Sequence, residues 1–292
     1  MGWIEDRIEW QADGKPVAIG LTRFGTGPSL LLLPALSSIS TRAEMRPLQE
    51  RLGESFSTLA IDWPGFGDLP RPTVDWRPDL YRAFLRFVLA EVVHPEVTIA
   101  AGHAAGYALA QAADDPVSIG RLVLLSPTWR GPLPTMAGKR LALFAGLAKL
   151  VDVPGIGAAF YRLNVNGPVI GMMARGHVYA DPSWLTPERM AAKRTVTEAP
   201  GARHASFRFV TGELDLFTDR AAVLDVARRA GPGIVVLYGR QAPRKSKADM
   251  VALGALSNVT AVEQERGKLS FYEEFPTDAA AHILPFAVGM GH

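Results

Sequence analysis

Residues 3–10 and 17–24 alternate apolar and polar side chains, the two-residue period of a strand with one wet face. Ala12-Asp13-Gly14-Lys15-Pro16 between them are turn formers, so the pair predicts an antiparallel hairpin. Beyond Gly25-Thr26-Gly27-Pro28 the pattern changes. The short runs 30–33, 59–61, 97–101, 122–125 and 234–237 are almost continuously apolar, as strands buried on both faces of a parallel sheet must be. Helix-period stretches lie between and after them, at 42–52, 78–93, 105–113, 219–230 and 246–256. Strand and helix alternate, which predicts a doubly wound α/β fold with a mostly parallel central sheet flanked by helices.

One segment breaks the alternation. Between Gly131 and about Ala202 no strand is convincing, and helical patches recur at 139–150, 156–163, 169–174 and 187–197. Thr186-Pro187-Glu188 opens the last with an N-cap, a proline at the first turn and an early acid. The reading is a core of residues 1–131 and 203–292 carrying a helical cap at 132–202, seated over the carboxyl ends of the strands.

Composition narrows the function classes. The 292 residues contain no Cys, which excludes disulfides, a thiolate nucleophile and Cys-ligated metal sites. A net charge of +2, with both signs interspersed, gives no clustered basic face for nucleic acid. His94, His177 and His204 lack metal-ligand spacing, so neither a metal nor another cofactor is expected. No apolar run approaches the ~18 residues a spanning helix needs, and the first residues lack a signal-peptide pattern, so a cytoplasmic location is expected.

The most informative stretch is Thr98-Ile99-Ala100-Ala101-Gly102-His103-Ala104-Ala105-Gly106. It reads as strand, sharp turn and helix, with the Gly-x-Ser-x-Gly form of a nucleophile elbow and Ala104 in place of the Ser. Asp62-Trp63-Pro64-Gly65-Phe66-Gly67, Gly239-Arg240-Gln241-Ala242-Pro243 and Gly267-Lys268 fall at matching intervals. Together these segments resemble the α/β-hydrolase superfamily over nearly the whole chain. The resemblance implies an α/β-hydrolase fold with a helical cap insertion. It also implies that Ala104 stands for the nucleophile, Lys268 for the histidine base and Ala242 for the acid. Pro34-Ala35 replaces the usual His-Gly before the oxyanion hole, whose amides fall to Leu36 and Ala105. Ala35, Ser37, His103 and Trp129 are candidate pocket-lining residues.

Acyl transfer needs a nucleophile, a base and an orienting carboxylate. None of the three matching positions supplies one, although Asp215 or Asp219 is a candidate for a relocated acid. A replaced serine alone would suit an engineered trap; losses at all three positions point to a natural one. Ser126, Ser37 and Ser38 are other hydroxyls near strand ends, without a His in a matching partner segment. His103 is expected to pack or bond to backbone beside the turn, and His282 to sit solvated on a terminal helix at 277–286. Lys268 has Glu265, Glu273 and Glu274 nearby in sequence as partners, or extends to solvent. The cap is apolar, with Leu141, Leu143, Phe144, Leu147, Leu150, Met172 and Met173, and that face is expected to roof a pocket on the core. A membrane surface is therefore not an expected partner.

Two expectations follow. One is a pseudohydrolase that binds an apolar or amphipathic small molecule, or a partner, without hydrolysing it. The other is an esterase-like hydrolase, or a lyase or isomerase with Lys268 as base, built from rearranged pocket residues.

Overall fold

The computed structural model describes residues 2–231 and 233–289. Eight strands form one sheet: β1 (Ile4–Ala12), β2 (Lys15–Phe24), β3 (Ser29–Leu33), β4 (Ser57–Ile61), β5 (Val97–Ala101), β6 (Arg121–Leu125), β7 (Ile234–Gly239) and β8 (Val259–Gln264). Their order is β1-β2-β4-β3-β5-β6-β7-β8. β1 and β2 form the expected hairpin, and β2 also runs antiparallel to β4. From β4 through β8 all pairings are parallel.

The apolar runs mark strands because alternate residues feed two different cores. Leu31 and Leu33 pack into the layer on one face of the sheet, Leu30 and Leu32 into the layer on the other. β8 escaped the hydrophobic pattern. It is an edge strand in which only Val259 and Gln264 are buried, so it carries no continuous apolar run.

The helical insertion lies between β6 and β7. It contains Pro132–Ala137, Ala142–Leu150, Ile156–Asn164, Gly167–Met173, Pro187–Glu198 and Ala202–Thr211. Thr186 caps Pro187–Glu198 as its sequence predicts, its side chain accepting from the Arg189 amide. The helix Ala202–Thr211 packs against four of the other insertion helices. A small core of Val151, Tyr161, Ala202 and Phe207 joins them. Phe144 is buried beneath this layer, whereas Leu141, Leu143 and Met172 stand exposed on its outside. Among the described residues no helix is long and apolar enough to cross a membrane.

Candidate functional site

The strand-to-helix turn after β5 is sharp, but its tip is not where the motif suggests. Gly102 carries the left-handed dihedral, φ +51°. His103 is already near helical, at φ −69° and ψ −22°, and the helix Ala104–Asp114 follows. A nucleophile elbow places its reactive residue on the strained tip. Ala104, matched to that residue by sequence, sits wholly buried in the first helical turn instead. The tip is Gly102, flanked at two residues on either side by Ala100 and Ala104. Small residues thus keep the elbow spacing, in a frame shifted by two positions. The spacing of Gly102 and Gly106 drew the sequence match to Ala104, because alanines rather than glycines flank the tip.

The turn is fixed by backbone bonds. The Gly102 amide donates to the Leu125 carbonyl at 2.9 Å, and the Gly102 carbonyl accepts from Thr128 at 3.0 Å and Ala105 at 3.2 Å. The Ala105 amide is therefore engaged within the turn and does not face an oxyanion, which corrects its expected role. The amides of Leu36 and His103 donate to no protein acceptor among the described residues. Leu36 is fully buried, and Ala35 and Ser37 are half-buried beside it. Trp63 Nε1 donates to the Pro34 carbonyl at 2.8 Å, and Ser206 donates to Ser38 at 2.6 Å.

The loops expected to carry the acid and base do meet. The Gln241 amide donates to the Gly267 carbonyl at 3.1 Å, and the Gln241 side chain accepts from the Gly267 amide at 3.0 Å. A Cβ on Gly239 would lie 2.1 Å from the Gly267 carbonyl oxygen, so only glycine allows this approach. Ala242 is buried in the first loop. Lys268, in the second, donates through Nζ to the Arg175 carbonyl in the cap at 2.5 Å. Lys268 thus bonds to a carbonyl rather than to one of the expected carboxylates, and it is half-buried, between that expectation and its alternative of reaching solvent. Glu273 accepts from the Tyr179 hydroxyl at 2.9 Å, and Glu274 accepts from the Ala180 and Asp181 amides at 2.9 and 2.8 Å. Ser126, fully buried at φ +43°, faces the Lys268 carbonyl at 3.5 Å.

Behind the elbow, His103 Nε2 lies 3.2 Å from the Leu214 carbonyl and 3.5 Å from Asp215 Oδ1. Burial pulls the imidazole down to about 4, so it is neutral near pH 7 and makes no ion pair with Asp215. A neutral ring donating from Nε2 to Leu214 leaves its lone pair on Nδ1. That atom is buried without a partner, and so is Trp129 Nε1 nearby. Burial pushes the Asp215 carboxyl up to about 7, against the Gly131 amide that donates to it at 2.8 Å. Of the two candidate relocated acids, Asp215 is beside the elbow. Asp219 caps the helix Arg220–Arg229, accepting from the Ala222 amide at 2.9 Å.

A buried charge cluster joining cap and core escaped the sequence. Lys193 is hydrogen-bonded to Glu44 and lies 3.6 Å from Glu273. Burial and the neighbouring Glu273 push Glu44 up to about 8 despite Lys193. The three residues are far apart in the chain, and each alone reads as a surface charge. His204 bonds to Asp152 at 2.6 Å and Thr73 at 3.1 Å, while His282 is exposed on the terminal helix Pro276–Ala287. The cap also holds an open cleft of about 500 Å³, lined by Tyr161, Arg162, Asn166, Arg194 and Arg203, away from the elbow.

A model of the alpha/beta hydrolase family matches residues 30–286, and the chain belongs to that family. No curated protein matches the chain. Solved structures resemble it over almost their full length. A probable hydrolytic enzyme of Pseudomonas aeruginosa PAO1 is 14% identical, with TM-score 0.72 over 97% of this chain and 94% of that one. The haloalkane dehalogenase DatA of Agrobacterium tumefaciens C58 is 16% identical, with TM-score 0.69 over 98% and 97%. A membrane phospholipase A, a bacterial virulence factor, is 18% identical, with TM-score 0.66 over 98% and 86%. At such identities the likeness is one of fold.

Proposed function

We propose that this protein binds an apolar or amphipathic small molecule, or a partner, on a hydrolase scaffold that does not hydrolyse it. The observation that carries the reading is the glycine at the elbow tip: at φ +51° Gly102 presents no atom able to attack a carbonyl. The loops that would hold base and acid support it. Lys268 is bonded to a cap carbonyl, and Ala242 has no titratable group. The unpartnered His103 Nδ1 and Trp129 Nε1 support a ligand with one donor and one acceptor near the turn.

Mass spectrometry of the small molecules that co-purify, together with assays on short acyl esters, tests this. The expected result is a retained ligand and no turnover. Ester turnover lost on substituting His103 or Asp215 overturns it.

A second reading is a lyase or isomerase. It is favoured by the place of Asp215, whose Oδ1 lies 3.5 Å from His103 Nε2 beside the elbow and whose carboxyl burial raises to about 7, suited to moving a proton. In this reading Asp215→Asn abolishes turnover of the bound molecule; under the first reading it leaves binding intact.

A further inference from the structure

The cap's apolar residues were expected to face inward, and many face out. Seven of the eleven exposed large apolar side chains among the described residues lie between positions 136 and 172. On the helix Ile156–Asn164, Ile156 is 61% exposed and Leu163 74% exposed, with exposed Ala159 between them at helical spacing. Val153 and Pro154 extend this stripe at the preceding turn, both exposed. The helix Ala142–Leu150 presents Leu143 at 67% exposure, and Met172 stands out at 61%. The helices Ala142–Leu150 and Ile156–Asn164 both pack on Ala202–Thr211 through their buried sides, which leaves their apolar exposed sides turned away from it.

The charge carried by these segments is mostly of one sign. Residues 132–180 contain five basic side chains, Lys139, Arg140, Lys149, Arg162 and Arg175, and a single acid, Asp152. Asp152 is already held by His204 at 2.6 Å and Arg208 at 2.8 Å. All five basic residues are exposed; Arg140 pairs with Glu213 at 2.6 Å, which leaves Lys139, Lys149, Arg162 and Arg175 for a negative surface. Apolar side chains exposed among cations are unfavourable against water and suit a surface that offers hydrocarbon beneath negative headgroups. A folded protein partner would need a complementary acidic, apolar surface; an anionic bilayer supplies both features at once.

We infer that the outer face of the cap docks on anionic lipid bilayers, with Ile156 and Leu163 entering the interface and the surrounding basic residues meeting the headgroups. This surface is separate from the elbow, and the inference does not depend on whether the elbow is catalytic.

The test is co-sedimentation of the full chain with phosphatidylcholine–phosphatidylglycerol vesicles and with phosphatidylcholine vesicles. Binding is expected on the anionic vesicles and is expected to weaken on neutral vesicles or at high salt. The double substitution Ile156→Ser/Leu163→Ser should lower partitioning about tenfold or more. Both side chains are largely exposed, so the melting temperature should hold. Val117→Ser, on an exposed apolar residue of the core, should bind as the parent does. Absence of binding to anionic vesicles, or equal binding by the double variant, overturns the inference. Concentration-dependent self-association abolished by the double substitution, without vesicle binding, also overturns it and assigns the face to a second copy.

Discussion

A Cβ placed on Gly102 would lie 3.0 Å from the Cβ of Ala35, so the elbow tip packs against the loop that follows β3. The contact explains why a side chain at the tip is crowded, and the φ of +51° adds backbone strain for any residue but glycine. Gly102→Ser should therefore lower stability by about 1–3 kcal/mol. It should give no burst with activated esters, because Ala242 and Lys268 supply neither an acid nor an imidazole. Ala104→Ser should be equally silent, its hydroxyl buried in the first helical turn. Stopped-flow assays with an activated ester check both. A burst from either variant would locate a base that the geometry does not place there.

The strands were legible because burial on both faces writes itself as apolar runs, as at 30–33 and 97–101. β8 was not, since an edge strand with Thr260, Ala261 and Glu263 exposed has no such run. The elbow was legible as a turn but not in its frame. Only the dihedral at Gly102 separates the tip from Ala104. The Glu44–Lys193–Glu273 cluster was illegible in principle, because burial of a charge is decided by tertiary contacts. Lys268 was legible only as a lysine where the family pattern has a histidine. Its partner, the Arg175 carbonyl, has no side-chain signature to find.

Glu44 should give stability a recognisable pH dependence. Its folded carboxyl is raised from 4.5 to about 8, so the folded state holds the proton more tightly than the unfolded chain. That contribution is complete below the unfolded value near 4.5 and is lost as pH climbs through about 8. Lys193 is raised well above its ordinary value by the two carboxylates and stays charged across this window. Glu44→Gln removes the titration while leaving an oxygen to accept from Lys193. The difference in melting temperature, variant minus parent, should grow more positive between pH 5 and 8. Parallel melting profiles across that range would show that Glu44 is ionised in the folded protein.

Lys268 should act as a local tie rather than as a determinant of global stability. Its Nζ bond to Arg175 is accompanied by backbone bonds from Leu269 to His177 and from Ser270 to Val178. Lys268→Met keeps the aliphatic stem and removes one hydrogen bond at a half-buried site, a loss of about 1 kcal/mol. Hydrogen exchange should rise in residues 174–178 while the global melting temperature changes little. A large global loss with no local change in exchange would mean that the lysine serves another contact.

Removing the cap should damage the core through its charges as well as its apolar surface. Deleting residues 135–198 takes away Lys193 and leaves Glu44 and Glu273 at the core surface without their cation. It also removes the Val196 carbonyl that accepts from Arg71, and Asp152, which holds Arg208 and His204. Ala202, Ala205 and Phe207, buried in the intact chain, would meet water. Exposed apolar surface of this kind drives association. The deletion variant should aggregate or elute as large species by size-exclusion chromatography with light scattering. Lys193→Met separates the two causes, because it keeps the apolar cover and removes only the charge. It should cost about 3–5 kcal/mol above about pH 8, where Glu44 is ionised, and less below it, where Glu44 holds its proton. A soluble, monomeric deletion variant with a parental melting temperature would instead make the cap an independent module resting on a core that is complete without it.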